Sequence, residues 1–319
     1  MGVAEVMAGR LADGELVIID GGMGSELQAE GVPMDAMAWS ARANLEQPEV
    51  VQRVHEAYIQ AGAEVIIANT FAASRAGLEP AGLGGRVAEA NRNAMRAALR
   101  AREAAATRPV AVAGSMSSFC PIAMDAGSPG TPLSNPAGED PRFPRLADFR
   151  EQAGLLAEAG ADLIALEMID GQGYGRAALA AAAETGLPVW LGISPDRRDD
   201  GTLGTFPELG DGDSFEDLLS ALVDPSLAAV TVMHADPGLA LDAIEVIRRH
   251  YAGPIGVYAE TGGWQPPNWV FDGLTPGEYL QQAITWAGHG AQLIGGCCGT
   301  GPGHIRALAD GLARRPATR

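Results

Sequence analysis

QAGAEVII at 60–67, EAGADLIA at 158–165 and GHGAQLIG at 288–295 repeat one pattern: the end of a helix, a glycine stop, then a short apolar strand. Glycine closes a helix because it accepts positive φ without a Cβ penalty. An apolar run directly behind it reads as a strand entering a buried sheet. Outward from these three, runs of the same kind are LVIID at 16–20, EVIIAN at 64–69, PVAVAGS at 109–115 and DLIALE at 162–167. Four more follow: PVWLGIS at 188–194, AAVTVMH at 228–234, PIGVYAE at 254–260 and AQLIGGCC at 291–298. Between them, stretches such as PEVVQRVHEAYIQAGA at 48–63 and FEDLLSALV at 215–223 place apolar residues at helical spacing. Strand–helix alternation predicts a parallel sheet, and eight units match the count of a (β/α)8 barrel. A doubly wound open sheet is the competing architecture, but its dinucleotide form carries G-x-G-x-x-G after the first strand, where this chain reads DGGMGSELQ at 20–28. The expected fold is α/β, a single-domain (β/α)8 TIM barrel over residues 1–319.

Composition narrows the function classes. Of 319 residues, 47% are hydrophobic and 19% charged, which excludes a disordered or collagen-like chain. With 22 Lys and Arg against 40 Asp and Glu, the net charge of −18 repels phosphate backbones and anionic membranes, so neither nucleic acid nor a membrane is an expected partner. No leader pattern or spanning segment appears, and a cytoplasmic location is expected. Self-association is compatible with this composition. Three cysteines, Cys120, Cys297 and Cys298, are too few to staple a fold of this size, which turns attention to metal binding or thiol chemistry. Cys120, beside Pro121, reads as a small buried residue.

Long irregular stretches follow the third strand (120–144), the fifth (195–214) and the seventh (261–276). All leave strand C-termini, the face on which barrels carry their chemistry. The residues at those strand ends are Asp20, Asn69 with Thr70, Ser115, Glu167, Ser194, His234, Glu260, and Cys297 with Cys298. A closed barrel brings His234 within reach of the adjacent cysteines. Two thiolates and an imidazole make a three-ligand Zn2+ site with a fourth position open to substrate. Adjacent cysteines are not the usual C-x-x-C knuckle, but the setting GGCCGTGP at 295–302 has glycines on both sides that let the backbone turn both thiols toward one ion. Buried packing for the cysteines and a hydrogen-bonded structural role for His234 are the alternatives. Zinc in such a site holds an incoming thiol as thiolate, whereas water in the open position would make it hydrolytic.

The remaining groups suit an amino acid. Asp20 or Glu167, the candidate catalytic carboxylates, can accept an ammonium, and the N–H groups of Gly21, Gly22 and Met23 can receive a carboxylate if they form an anion-binding turn. Asp20 is otherwise the N-cap of a helix starting near Gly24. Asn69 and Thr70 stand either in the pocket wall or as caps of the next turn. Trp264, Trp269 and Phe271 clamp a cationic group or anchor their loop to the barrel.

The chain resembles the zinc-dependent homocysteine S-methyltransferase family, the homocysteine-binding barrel of betaine, S-methylmethionine and cobalamin-linked methyl transfer. The likeness runs through IIDGGMGSELQAEG at 18–31, the stretch from Trp39 to Phe71, LEMI at 166–169, DDGT at 199–202, VYAETGGW at 257–264 and GGCCGTGPGHIRAL at 295–308. It implies a (β/α)8 barrel, a catalytic zinc with Cys297 and Cys298 as ligands, an amino-acid thiol as methyl acceptor, and Asp20, the following glycines, Thr70 and Glu167 as its holders. The sequence departs from the pattern where the family usually has Asn-Cys after the sixth strand, because Met233 and His234 stand there, and His234 supplies an imidazole as third ligand instead. Exchanging a thiolate for an imidazole makes the complex one unit more positive and its bound thiolate less nucleophilic. Where the family tends to have Tyr-Pro-Asn, this chain has Tyr258, Ala259 and Glu260, and the added carboxylate favours a cationic ligand. The leading expectation is zinc-dependent methyl transfer from a small onium donor to homocysteine or a related thiol. A zinc hydrolase or lyase acting on an amino-acid-like substrate, and a barrel that binds such ligands without turnover, are the other two.

Overall fold

The computed structural model describes residues 2–118, 146–205, 213–265 and 267–312. Eight parallel strands form the barrel wall: β1 (Val17–Ile18), β2 (Val65–Ile67), β3 (Ala111–Ser117), β4 (Leu163–Glu167), β5 (Val189–Ile193), β6 (Ala229–Met233), β7 (Ile255–Ala259) and β8 (Ala291–Gly296). Their order around the sheet is β1-β8-β7-β6-β5-β4-β3-β2. A parallel bridge between Ile19 and Val65 joins the two ends, with the Asp20 N–H donating to the Val65 carbonyl at 2.9 Å. Each strand is followed by a helix, from Pro48–Ala61 behind β1 to Pro302–Leu312 behind β8. The expected (β/α)8 barrel is therefore the observed one.

The glycine stops perform as their chemistry requires: Gly62, Gly160 and Gly290 all take positive φ, at 124°, 96° and 93°. Strand alternation then sorts the core into two layers. Ile18, Ile66, Val112, Ile164, Leu191, Val230, Val257 and Ile294 face the surrounding helices. Val17, Ile19, Val65, Ala113, Leu163, Ala165, Trp190, Met233, Tyr258 and Leu293 fill the interior. Room for the larger of these comes from interior glycines: a Cβ on Gly256 would lie 2.7 Å from Thr231 Cγ2, and one on Gly192 3.1 Å from Met233 Cγ.

Two features were not anticipated. The helix Val3–Ala12 closes the bottom of the barrel, placing Met7 and Leu11, one helical turn apart, in the interior cluster. Arg10 pins it there, donating to Glu64 at 2.6 Å. The stretches after β5 and β7 also contain short antiparallel hairpins, Pro195–Arg197 with Leu203–Thr205 and Gly263–Gln265 with Asn268–Val270. The stretch read as a loop after β3, with Cys120, lies outside the described residues, as does 206–212. No helix among those described is long and apolar enough to cross a membrane.

His55, on the helix Pro48–Ala61, is fully buried, and its ring nitrogens meet no hydrogen-bond partner among the described residues. Burial disfavours the charged ring and lowers its pKa to about 3. The unfolded chain protonates this group near pH 6.5, whereas the folded one does so only near pH 3. Its contribution to stability is therefore flat above 6.5 and falls by about 1.4 kcal/mol per pH unit between those values. Urea titrations from pH 7 down to pH 4.5 should show this extra acid sensitivity in the native protein and its absence in His55→Leu. Parallel slopes in the two proteins would disprove it.

Candidate functional site

At the C-terminal ends of the strands a cavity of about 510 Å³ opens, walled by residues from several strand exits and by the hairpin after β7. Alternation decides which side chains reach it. Glu167 and Met233 end their strands facing inward, so the residues after them would ordinarily face outward. Both are turned back by backbone in the left-handed region: Met168 has φ 50° and His234 φ 44°. Glu167 with Met168, and Met233 with His234, consequently all line the cavity. Trp39, the remaining non-glycine residue with positive φ among those described, lines it too. Such conformations cost about 1–3 kcal/mol each and collect where function demands them.

His234, Cys297 and Cys298 converge. Their ligand atoms all lie within 4.8 Å of one another, the only such group of His, Cys, Asp or Glu among the described residues. Cys297 Sγ is 3.7 Å from His234 Nδ1 and 4.0 Å from Cys298 Sγ. A tetrahedral ion with bonds of about 2.0–2.3 Å holds neighbouring ligand atoms roughly 3.5–3.8 Å apart, so the donor set fits a metal in type and spacing. The flanking glycines make the turn possible. Gly299 takes φ 79°, and a Cβ there would overlap the Thr261 carbonyl. Gly296 is needed for space instead, since a Cβ would overlap Thr300.

Glu260 Oε2 sits 2.8 Å from His234 Nδ1. Burial opposes charge on the His234 ring, but contacts with Cys297 and Glu260 outweigh it and raise its pKa well above the usual value. The Cys297 thiol is pushed up by its contact with Cys298 and by burial, with His234 pulling the other way. A metal entering here displaces protons.

Asp20 and Glu167 form the second group, of which Glu167 lines the cavity and Asp20 does not. Both are buried, and burial is the main cause that raises both pKa values, with Glu167 adding repulsion at Asp20. Asp20 Oδ2 accepts the Ile67 N–H at 2.9 Å, while Glu167 accepts from the Ser115 hydroxyl. Asp20 is not a helix cap, because the helix Met23–Ala29 starts from Gly22. Asp170, buried behind Met168, is pushed up to about 8 by desolvation, partly opposed by Ser118, and is not part of the cavity wall.

Some expectations change. Thr70 lies outside the wall: its hydroxyl donates to the Ser115 carbonyl at 2.8 Å and accepts the Ser115 N–H at 2.9 Å, bracing β2 against β3. Asn69 reaches the wall but is held by Ser40 and Asn44. Gly21, Gly22 and Met23 line the cavity, yet the Gly22 N–H is donated to the Thr300 carbonyl at 3.0 Å and does not serve an anion turn. These glycines let chain segments approach: a Cβ on Gly22 would lie 2.5 Å from the Cys297 carbonyl oxygen. Phe271 is exposed, outside the cavity. Trp264 and Trp269 do face it, and Trp39 and Phe71, unforeseen, complete an aromatic wall with centroid spacings of 6.2–6.3 Å. Gln28 clamps the hairpin by exchanging two hydrogen bonds with the Trp269 backbone. The signal for Phe71 was an aromatic side chain directly after the second strand exit, whereas Trp39, beyond the helix Met23–Ala29, carried no such signal.

Comparison with known proteins agrees with this geometry. The family model for homocysteine S-methyltransferase matches residues 17–312. Homocysteine S-methyltransferase 1 of Zea mays is 32% identical, with 99% of each chain covered. Selenocysteine methyltransferase of Astragalus bisulcatus is 27% identical, with 92% of each covered. The crystal structure of the homocysteine methyltransferase MmuM from Escherichia coli in its metallated form superposes with a TM-score of 0.71 at 26% identity, covering 93% of this chain and 96% of that one. With a donor set suited to a metal at the mouth of a (β/α)8 barrel and the family match running through every strand, the chain belongs to the homocysteine S-methyltransferase family.

Proposed function

We propose that this protein uses Zn2+ to transfer a methyl group from a small onium donor to the thiol of homocysteine or a closely related amino-acid thiol, forming methionine or its analogue. The observation that carries this reading is one cavity holding a Cys–Cys–His donor set, the buried carboxylate of Glu167 and an aromatic wall. His234, Cys297 and Cys298 would hold the ion. Zinc bound there supplies Lewis acidity that keeps an incoming thiol deprotonated at neutral pH.

Every other part of the work falls to the chain. Asp20 and Glu167, whose charges burial disfavours, gain from the ammonium of an amino acid placed against them. That contact aims the thiol toward the cysteines and histidine. Trp39, Phe71, Trp264 and Trp269 offer ring faces to a sulfonium or quaternary ammonium and exclude water around it. In the transfer a sulfur–carbon bond forms as the donor's bond to the methyl breaks, and the donor's onium atom keeps the electron pair. An anion and a cation become two neutral groups. A cavity poor in water favours that loss of charge, because it denies the separated charges their hydration.

Given homocysteine with S-methylmethionine, S-adenosylmethionine or betaine, the purified protein should form methionine. Trp39→Ala should raise KM for the donor roughly 5–30-fold, as removal of a 1–2 kcal/mol cation–π contact implies, with little change in KM for homocysteine. No methylated thiol from a broad panel of donors and acceptors would reject the reading, and metal-dependent turnover without any thiol would select the hydrolase or lyase.

Protein purified without chelator should carry about one zinc per chain, and His234→Ala should lose most of it, since two thiolates alone leave a structural or catalytic zinc site one ligand short. Elemental analysis of both proteins decides this: equal zinc in both removes His234 from the ligand set.

A further inference from the structure

Three positions of the short helix Met23–Ala29 each hold a different piece of the cavity. Gly24 seats Trp39: a Cβ there would lie 2.5 Å from Trp39 Cη2 and 2.6 Å from Cζ2, so the indole packs directly on the helix backbone. Ser25 Oγ accepts the Gly299 N–H at 3.0 Å, which ties the helix to the turn behind Cys297 and Cys298. Gln28, one turn after Gly24 and on the same face, reaches the hairpin after β7. Its Nε2 donates to the Trp269 carbonyl at 2.9 Å, and its Oε1 accepts the Trp269 N–H at 2.7 Å. Gln28 itself is not part of the cavity wall.

This double contact does for the hairpin what a third strand would do. The hairpin has three residue pairs, Gly263 with Val270, Trp264 with Trp269 and Gln265 with Asn268, and a two-stranded ribbon is marginal on its own. Because both backbone groups of Trp269 turn toward Gln28, Trp269 and Trp264 oppose each other as a non-hydrogen-bonded pair, the arrangement that brings side chains closest. The Trp269 ring is anchored as well, with Nε1–H donating to the Thr261 carbonyl at 2.8 Å. Its centroid lies 6.1 Å from that of the His234 imidazole and 6.3 Å from that of Trp264. Trp269 is thus the ring at which the aromatic wall meets the Cys–Cys–His set.

We propose that Gln28 is a positioning residue for the methyl donor. Without touching the donor, it fixes the Trp264–Trp269 hairpin, and with it two of the ring faces offered to an onium ion, at a set place relative to His234 and the cysteines. This rests on the reading of the aromatic wall as the donor's site. Placement matters because the methyl carbon and the attacking sulfur must lie in line, and a misplacement of about 1 Å can cost on the order of 100-fold in rate.

The test separates cation placement from folding. Binding of trimethylsulfonium, read by tryptophan fluorescence, is measured beside the steady-state constants for S-methylmethionine and homocysteine. Gln28→Met is close in volume and can form neither bond; Gln28→Glu keeps an acceptor for the Trp269 N–H but sets a carboxylate against the Trp269 carbonyl. Matching circular dichroism and thermal melts confirm that each variant is folded. Both substitutions should weaken trimethylsulfonium binding and raise the donor KM roughly 5–20-fold, within the range of a lost cation–π contact. The KM for homocysteine and the zinc per chain should stay at their native values. Weaker binding in Gln28→Glu would run against its added negative charge, which by itself attracts a cation. With both indoles removed, in Trp264→Ala/Trp269→Ala, Gln28→Met should change trimethylsulfonium binding less than about 2-fold, because the two effects share one route. Native onium affinity in folded Gln28→Met, equal losses for donor and homocysteine, or a full Gln28 effect without the indoles would each mark Gln28 as merely structural and overturn the proposal. A native protein that binds the onium ion with this dependence but methylates no thiol refutes the transfer reading and leaves the role of Gln28 in cation placement standing. A native protein that binds no onium ion refutes both.

Discussion

The bridge between Ile19 and Val65 is the contact on which the site depends, because it turns an eight-stranded sheet into a ring. In an open sheet the ends of β1 and β4 would lie several strands apart. In the ring they face each other across one axis, which is how Glu167 comes to raise the proton affinity of Asp20. Closure also fixes what the interior can hold. Val17, Ile19, Trp190 and Leu293 fill the lower part, and the polar layer of Ser115, Glu167, Thr231 and Tyr258 lies above them. That layer is tolerable because it forms the floor of a cavity, where a substrate's charges meet those of the protein.

The barrel was legible in the sequence because its determinants are local: glycine stops at 62, 160 and 290, and apolar runs at a steady interval. The helix Val3–Ala12 was not read because its function is to plug a barrel, and only the i, i+4 pair Met7 and Leu11 signals it. The site divides in the same way. Cys297, Cys298 and His234 were legible because their chemistry is scarce, and the sheet places their strands on either side of β7. Thr70 and the Gly22 amide were assigned to substrate because they sit at strand exits. Sequence places a hydroxyl or an N–H there without telling whether a neighbouring backbone has already taken it, as Ser115 and Thr300 have.

Backbone strain explains why alternation alone undercounts the cavity wall. At Met168 and His234 a left-handed residue directly after an inward-facing one presents two consecutive side chains to the same space. Hydrogen bonds hold these conformations. The Met168 N–H donates to Met233 Sδ at 3.2 Å and its carbonyl accepts from the Ser118 hydroxyl at 2.5 Å, while the His234 N–H is tied to Tyr258. The cost of about 1–3 kcal/mol at each is borne by a large, well-packed core. Met233 has a second part in this, since its thioether also accepts from Ser194 at 3.3 Å. A side chain at the end of β6 therefore stabilises the turn after β4 that carries Met168.

Charge connects binding to release in the proposed reaction. The cavity is poor in positive groups and is lined by Asp35, Glu167 and Glu260, in a chain of net charge −18. Such a field draws in a cationic donor and deepens its attraction to the aromatic faces. Methyl transfer removes that positive charge, so the spent donor, now a neutral thioether or amine, loses the interactions that held it. In that reading the methylated amino acid would keep its ammonium near Glu167 but would no longer offer a thiolate toward His234, Cys297 and Cys298. Both products are thus held less tightly than the reactants by the groups that bound them. The change of charge that drives the chemistry also empties the site for the next pair.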